Sequence, residues 1–303
     1  MKLVTKGYIF IFLSTVLWGL FPVVVHQGVQ DIPPISFAGL SILLSSIITF
    51  LYAAARKRLP ELRKKEAYFP LLMITLFIVI IPSILFFIGA SMTSGVNTAM
   101  LLQAEIIFTL IITPWFGEPT TWKKVVGAVG IFIGALFILY DGTLSINMGD
   151  LLIIASTLTY PFGNFYSKKA LTILSPSIVL LVRSALGSIF LIVLAVIVEP
   201  SAEFSSIIKE YWLYLLLAGF FVYFIGKITW HEGLKLMDIT KAISLSMTFP
   251  FFSILFLIFF VGEDISIFQW TGIYFMIIGV FFMVRRQSIA IEKTRYGKHL
   301  NSN

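Results

Sequence analysis

Long apolar runs follow one another along the whole chain, and short polar turns separate them. A helix needs about 20 mainly apolar residues to cross the hydrocarbon core of a bilayer. Division of the chain at that length predicts helices over 7–26, 34–55, 69–90, 95–116, 123–140, 150–167, 177–198, 212–232, 241–261 and 266–284. The pattern therefore predicts an all-α integral membrane protein with ten transmembrane helices.

Composition supports this prediction. Hydrophobic residues make up 58% of the chain, charged residues 12%, and the mean hydropathy is +0.98. In a soluble domain about a quarter of the residues are charged. We therefore expect most of the surface of this protein to contact membrane lipid. The first apolar run is long enough to span a bilayer, so we do not expect a cleavable signal peptide. The chain has no cysteine, which excludes disulfides and thiolate metal sites.

The basic residues alternate in their placement. With the N-terminus taken as cytoplasmic, 19 of the 22 Lys and Arg residues fall in cytoplasmic segments, whereas Lys209 is outside. Arg183 and Lys227 lie within predicted helices. This bias follows the positive-inside rule and predicts both termini in the cytoplasm. We expect the protein to lie in the plasma membrane. In a nucleic-acid-binding protein the basic residues would cluster on one soluble domain, whereas here they are spread over the cytoplasmic segments. We therefore expect no nucleic-acid partner.

Two segments follow the same plan at an offset of 145 positions: an apolar run, a Gly-Glu pair, and a second run with spaced glycines. The offset pairs Gly117-Glu118 with Gly262-Glu263, Gly127 with Gly272, and Gly134 with Gly279. The predicted units are a first repeat at 1–145, a second at 146–286, and a cytoplasmic tail at 287–303. Because five helices per repeat is an odd number, the second repeat must be inverted. Inverted repeats are typical of secondary transporters, although duplication can also serve only to build a stable bundle.

The sequence contains none of the motifs that would indicate an enzyme. A G-x-x-x-x-G-K-[ST] phosphate loop, an H-E-x-x-H helix and a G-x-S-x-G elbow are all missing. We therefore expect neither catalysis nor a cofactor, and transport driven by a gradient rather than by ATP.

Several motifs in their order resemble the drug/metabolite transporter superfamily, in its EamA-type ten-helix branch. The resemblance covers about residues 7–286. It rests on the five-plus-five repeat, the two Gly-Glu turns, STVLWGLFPVVVH in the first helix, STLTYPFGNFYSKKA in the sixth and PSIVLLVRSALG in the seventh. It implies an exporter or exchanger of small metabolites such as amino acids, with a central cavity between the halves. The chain departs from the family at Glu105, where a proline is usual; the ninth helix keeps its proline, Pro250.

Glu105 is the main candidate for a functional group. It lies ten residues beyond Gly95, near the bilayer midplane at about 1.5 Å per residue. A carboxylate at this depth is costly and is a functional hypothesis by default. It would couple protons or recognise an amino group on the small-molecule substrate; the alternative is a structural ion pair. Asn97, at i−8, is expected on the same helix face, whereas Gln103 points about 200° away.

The remaining candidates surround Glu105 in the predicted topology. Lys227 could pair with Glu105 or bind an anionic group, and Arg183 could do the same or extend its side chain to the membrane surface. Trp18, Tyr160 and Asn164 are expected to line the cavity. Pro22 should kink the first helix and leave a free carbonyl near residue 18.

Other conspicuous residues are assigned structural roles. His231 and Glu232 are predicted to form an interfacial cap at the end of the eighth helix; the alternative for His231 is a role in proton transfer, since imidazole titrates near neutral pH. Glu118 and Glu263 are each predicted to cap the helix that follows them. The many Phe residues are predicted to face lipid, and Trp residues near helix ends to form interfacial belts.

Together these features predict a secondary active transporter, an exporter or exchanger of a small polar metabolite such as an amino acid. Two alternatives stay open. A sugar-phosphate or nucleotide-sugar exchanger would need two cations in the cavity, for which Arg183 and Lys227 are the candidates. A lipid flippase would need an apolar lateral opening.

Overall fold

The computed structural model describes residues 3–93, 95–139, 147–253, 255 and 266–284. These residues form helices and turns without a strand, which confirms the predicted all-helical class. The α-helices are α1 (Leu3–Trp18), α2 (Phe21–Asp31), α3 (Pro34–Ala55), α4 (Tyr68–Ile74), α5 (Ile81–Met92), α6 (Gly95–Leu101), α7 (Ala104–Ile112), α8 (Trp122–Leu139), α9 (Met148–Ala170), α10 (Pro176–Val198), α11 (Phe204–Glu210), α12 (Trp212–Leu216), α13 (Lys227–Leu234), α14 (Ile239–Ser246) and α15 (Ile267–Val284).

Short elements join some of these helices into longer columns. The π-helix Thr75–Ile80 connects α4 with α5, and the π-helix Leu217–Gly226 connects α12 with α13. Five helical columns are long and apolar enough to cross a membrane: Pro34–Ala55, Lys65–Met92, Thr98–Phe116, Pro176–Val198 and Trp212–Leu234. Shorter apolar helices cover Thr5–Trp18 and Ile267–Phe282. The short helix α11, which precedes α12, was not predicted.

Three predicted helices are interrupted near their middle. The first breaks at Gly19 and Leu20, between α1 and α2, and the fourth at Leu102 and Gln103, between α6 and α7. The ninth breaks at Met247 and Thr248 and resumes at Phe249. The kink expected from Pro22 in the first helix is confirmed as a break, whereas the prediction of continuous fourth and ninth helices was wrong. Proline explains two of the breaks, because Pro22 and Pro250 each lie just beyond one and cannot donate a helical hydrogen bond.

Close packing between helices depends on glycine. At Gly134 of α8 an added Cβ would lie 2.6 Å from the Gly272 carbonyl oxygen of α15, and at Gly279 of α15 it would lie 2.7 Å from the Gly127 carbonyl oxygen of α8. The 145-residue offset relates Gly134 to Gly279 and Gly127 to Gly272. In the first contact the carbonyl oxygen belongs to the second repeat, and in the second contact it belongs to the first repeat. Helices in a membrane associate closely through such small residues.

Glycine also permits close contact at two other helix pairs. An added Cβ at Gly89 of α5 would meet the Gly149 carbonyl oxygen at 2.8 Å and the Ile153 amide nitrogen at 3.3 Å, both on α9. At Gly233 of α13 it would meet the Ile11 amide nitrogen of α1 at 3.2 Å. In both contacts the glycine lets its helix approach the backbone of the neighbouring helix.

Carboxylates from distant loops cap the starts of three helices. Glu199 accepts hydrogen bonds from the backbone of Ile35 and Ser36 at the start of α3, both at 2.8 Å. Glu61 accepts one from the Ser175 amide, at 2.6 Å, at the start of α10. The first backbone amides of a helix lack intrahelical acceptors, so each carboxylate satisfies donors that would otherwise be unpaired.

Glu118 performs the same task at α14. It accepts hydrogen bonds from the amides of Ile239 at 2.8 Å and Thr240 at 3.3 Å, and it pairs with the Lys168 ammonium at 2.9 Å. The prediction that Glu118 caps the helix following it was therefore wrong, because the turn at Gly117 (φ 81°) places the carboxylate beside α14 instead. Glu263 lies outside the described residues.

Large apolar side chains cover much of the outer surface. The tryptophans at helix ends are among the most exposed: Trp115 is 75% and Trp122 64% accessible. Contiguous apolar exposure is unusual on soluble proteins, so this surface fits a lipid environment with aromatic residues at its borders.

The α8–α15 contact yields a first prediction. Gly279→Ala places a Cβ 2.6 Å from the Ile131 amide nitrogen, a backbone atom that cannot rotate away. Overpacking of this kind costs about 1–3 kcal/mol, so the melting temperature in detergent should fall. Gly226→Ala is the matched control, since its Cβ would come no closer than 3.3 Å to its neighbours. Equal melting temperatures for the two variants would contradict the contact.

The Glu118 cap yields a second prediction. Glu118→Gln keeps the shape of the side chain but removes the charge that binds Lys168 and two amides, and should destabilise the fold by about 1–3 kcal/mol. Glu66→Gln, at an exposed loop residue, is the control. Thermal unfolding in detergent would measure both, and a Glu118→Gln protein as stable as the control would refute the cap.

Candidate functional site

A cavity lies where the interrupted helices meet. Its volume is about 60 Å³, which leaves room for only a few water molecules. The polar side chains that line it include Glu105, Tyr160, Asn164, Arg183, Tyr223 and Lys227. Its aromatic walls include Trp18, Phe21, Phe86, Phe87, Trp230 and Phe249. The structure thus brings three charged groups together inside an apolar, aromatic enclosure.

Six of the seven candidate residues from the sequence line this cavity. They are Trp18, Glu105, Tyr160, Asn164, Arg183 and Lys227. Asn97 belongs to α6, but its side chain lies outside what the structure describes.

Glu105 lies in the first turn of α7, directly beyond the break in the fourth predicted helix. Its amide donates to the Leu102 carbonyl at 3.2 Å, an i−3 hydrogen bond, so the regular i−4 pattern is lost there. The side chain is only 7% exposed. The Asn164 side-chain amide of α9 donates to the Glu105 Oε1 atom at 3.4 Å. A helix N-terminus favours a negative charge, so the break and Asn164 both support a carboxylate inside the protein.

Lys227 begins α13, immediately after the π-helix Leu217–Gly226. Its ammonium lies over the Trp18 ring, 3.6 Å from the ring centroid, which is a cation–π interaction. It interacts with Glu105 electrostatically. Among the described residues, however, the ion pairs closer than 4 Å do not include Lys227 with Glu105. The aromatic ring therefore holds the cation and leaves the carboxylate available.

Arg183 of α10 is 3% exposed and lines the cavity, so the alternative that it reaches the membrane surface was wrong. The reason is that Arg183 lies on the face of α10 that borders the cavity, inside the bundle. Within the described part of the chain its Nε atom has no hydrogen-bond partner. A buried guanidinium with an unpaired donor is a suitable receptor for a carboxylate or phosphate oxygen.

A hydrogen bond connects the break between α1 and α2 with the ninth predicted helix. The Gly19 carbonyl accepts a hydrogen bond from the Ser253 hydroxyl at 2.8 Å. This carbonyl is next to that of residue 18, which we expected Pro22 to leave free. In contrast, α9 passes through Pro161 without a break.

Some cavity residues were not predicted. Tyr223 and Trp230 face the cavity because the π-helix changes the angular register of the eighth helix, and π-helices leave no clear sequence signal. Phe86 and Phe87 were expected to face lipid, yet both are buried in the cavity wall. His231 is also buried, with 1% of its side chain exposed, so its predicted role as an interfacial cap was wrong.

An all-helical molecule with an apolar exterior and an enclosed, charged cavity has the build of a membrane transporter. The family profile described as "EamA-like transporter family" matches residues 5–140 and again residues 147–285. The chain therefore belongs to the EamA-like transporter family, and is a multi-pass membrane transporter of a small-molecule substrate.

Named relatives agree with this assignment. The uncharacterized transporter YoaV of Bacillus subtilis (strain 168) is 25% identical over 88% of this chain and 92% of its own length. The uncharacterized transporter YyaM of the same strain is 27% identical over 65% of this chain and 66% of its own length. A protein of Salmonella typhimurium named "probable amino-acid metabolite efflux pump" is 26% identical over 90% of this chain and 95% of its own length.

One solved structure shares the fold. Its TM-score is 0.77 at 16% sequence identity, and the alignment covers 98% of this chain and 99% of the other.

The contact of Lys227 with Trp18 yields a third prediction. Trp18→Leu and Lys227→Met should each lower stability, and the double variant should lose less than the sum of both, with a coupling of about 1–2 kcal/mol. Thermal or denaturant unfolding in detergent gives the four values of the cycle. Additive losses would show that the ring and the ammonium do not interact.

Proposed function

We propose that the protein is a secondary active transporter of the plasma membrane that exports a small polar or amphipathic metabolite by alternating access. Ten transmembrane helices in two inverted five-helix repeats, with both termini in the cytoplasm, would form the two moving halves. The observation that carries the proposal is the enclosed cavity in which Glu105, Arg183 and Lys227 meet between aromatic walls.

Two observations support the inverted repeat. The family profile matches the chain twice, at 5–140 and 147–285. The glycine contacts also exchange between the halves: Gly134 meets Gly272 as Gly279 meets Gly127. An internal twofold axis would produce this exchange, and in many transporters the substrate site lies near that axis.

The cavity favours an amino acid or a related zwitterion as substrate. Arg183 offers an unpaired donor to a carboxylate, and Glu105 with Asn164 offers acceptors to an ammonium group. The aromatic walls suit an apolar side chain. The relative from Salmonella typhimurium, by its name, points in the same direction. A volume of about 60 Å³ is too small for most amino acids, so the cavity must widen to one side to admit the substrate, as alternating access requires.

A phosphorylated substrate is the second candidate. Arg183 and Lys227 both line the cavity and would supply the two cations that a phosphate group needs. Glu105 stands against it, because its negative charge would repel the phosphate. The flippase alternative is weaker: the apolar groove beside α1, α14 and α15, lined by Phe12, Leu245 and Ile277 among others, shares no lining residue with the charged cavity.

Transport assays yield a fourth prediction. In proteoliposomes with a pH gradient, uptake of one or more of a panel of labelled amino acids should exceed that of glucose 6-phosphate. Glu105→Gln should reduce gradient-driven uptake at least about tenfold, because the carboxylate can no longer take up or release a proton. Glu66→Gln is the control for a carboxylate on an exposed loop.

Two results would contradict the proposal. Unchanged flux and pH dependence in Glu105→Gln would remove the coupling role of the carboxylate. Preference for glucose 6-phosphate, with loss in Arg183→Gln, would select the phosphate alternative.

A further inference from the structure

A second cavity lies beyond the central one along the same helices. We call it the vestibule; its volume is about 490 Å³ and its lining is mainly polar. Charged and hydroxyl side chains border it, among them Arg56, Lys64, Ser177, Glu232 and Lys235. Several of these residues are exposed, so the vestibule is accessible to water.

A thin layer of protein separates the vestibule from the central cavity. On α10, Ser177 borders the vestibule and Arg183 borders the cavity, which places the two spaces about 9 Å apart at 1.5 Å per residue. On α13, Lys227 and Trp230 border the cavity, whereas Ile228, Glu232 and Lys235 border the vestibule. The two spaces therefore contact different faces of α13 over an overlapping stretch of this helix.

His231 lies on α13 between Trp230, which borders the cavity, and Glu232, which borders the vestibule. It is four residues from Lys227 in one direction and from Lys235 in the other, so the three side chains share one face of the helix. The helical path continues to Lys235, whose amide donates to the His231 carbonyl at 3.1 Å. The imidazole is 1% exposed. The Lys227 carbonyl interacts with the ring, yet Nδ1 has no well-formed hydrogen bond among the described residues.

Other buried polar atoms at this level also lack described partners. They are the Arg183 Nε atom on α10 and the Ser244 Oγ atom on α14, two helices that pack against α13. Buried polar groups are nearly always hydrogen-bonded, so a layer with several unpaired atoms is suited to admit water.

The charged surroundings of His231 come from more than one helix. Arg183 of α10 and Lys227 of α13 interact electrostatically with the ring. The other described titratable side chains on the elements packed against α13 are Lys6 and Tyr8 on α1, Tyr223 in the π-helix and Lys241 on α14.

We propose that His231 carries protons between the central cavity and the vestibule. Glu105 releases its proton to water beside Lys227, and one ring nitrogen of His231 accepts it. The other ring nitrogen then gives up its own proton to water in the vestibule, so one proton moves across and the imidazole changes tautomer. Imidazole suits this step because one ring nitrogen can accept a proton while the other donates one. The proposal rests on the proposed function, which places the vestibule on the cytoplasmic side.

Proton and substrate fluxes separate this role from substrate binding. Proteoliposomes loaded with a pH-sensitive dye would report protons moved with L-phenylalanine, and labelled L-phenylalanine at equal concentrations on both sides would report counterflow. His231→Gln should reduce the proton flux at least about tenfold, and change counterflow less than about twofold. Thr229→Ala, a neighbour on α13 whose hydroxyl bonds only to its own helix, is the matched control. A His231→Gln protein with the proton flux and pH profile of the wild type would overturn the proposal.

A chemical test covers the case in which L-phenylalanine is not moved or the variant does not fold. The chain has three histidines, so His26→Gln with His299→Gln leaves His231 alone. Diethyl pyrocarbonate added to this protein in detergent should carbethoxylate His231, with a rate that follows the titration of the imidazole. Modification only after denaturation would show that the ring is closed to the vestibule in the native protein, and would refute the relay. Failure of wild-type counterflow with every amino acid tested would instead refute the proposed function.

Discussion

The structure depends on one constraint: where a helix starts or breaks inside an apolar protein, its unpaired backbone groups need partners. Carboxylates meet this need at three helix starts, and each comes from a distant part of the chain. Glu199 caps α3, Glu61 caps α10 and Glu118 caps α14. Hydrogen bonds to charged groups are stronger than neutral ones. These caps therefore stabilise contacts between segments that are far apart in the sequence.

The same constraint explains why the cavity lies where it does. Interruptions at Gly19–Leu20, Leu102–Gln103 and Met247–Thr248 leave backbone groups outside the regular hydrogen-bond pattern. Ser253 satisfies one of them, the Gly19 carbonyl. Glu105 occupies the helix start that follows another, where its charge is favoured. The breaks thus create positions at which polar side chains can be held among aromatic ones.

Several parts of the site could be predicted from single residues. Glu105, Arg183 and Lys227 are charged residues within apolar runs, and the cost of burying them makes them conspicuous. Tyr223, Trp230 and the buried Phe86 could not be predicted, because an aromatic residue in an apolar run fits lipid, core and cavity equally well. His231 was assigned to a helix end, but the helix continues to Leu234 and its neighbours cover the ring.

The sequence alone determined the helical class, the approximate helix limits and the repeated glycines, since each follows from composition or from spacing along the chain. Only the tertiary structure decided what those residues contact. The Gly-Glu pair at 117–118 illustrates the difference: spacing revealed the motif, but its carboxylate caps α14, more than 120 positions later. The Lys227 ammonium likewise lies on Trp18. Such contacts depend on how helices pack in three dimensions, and local sequence patterns carry no information about distances between remote segments.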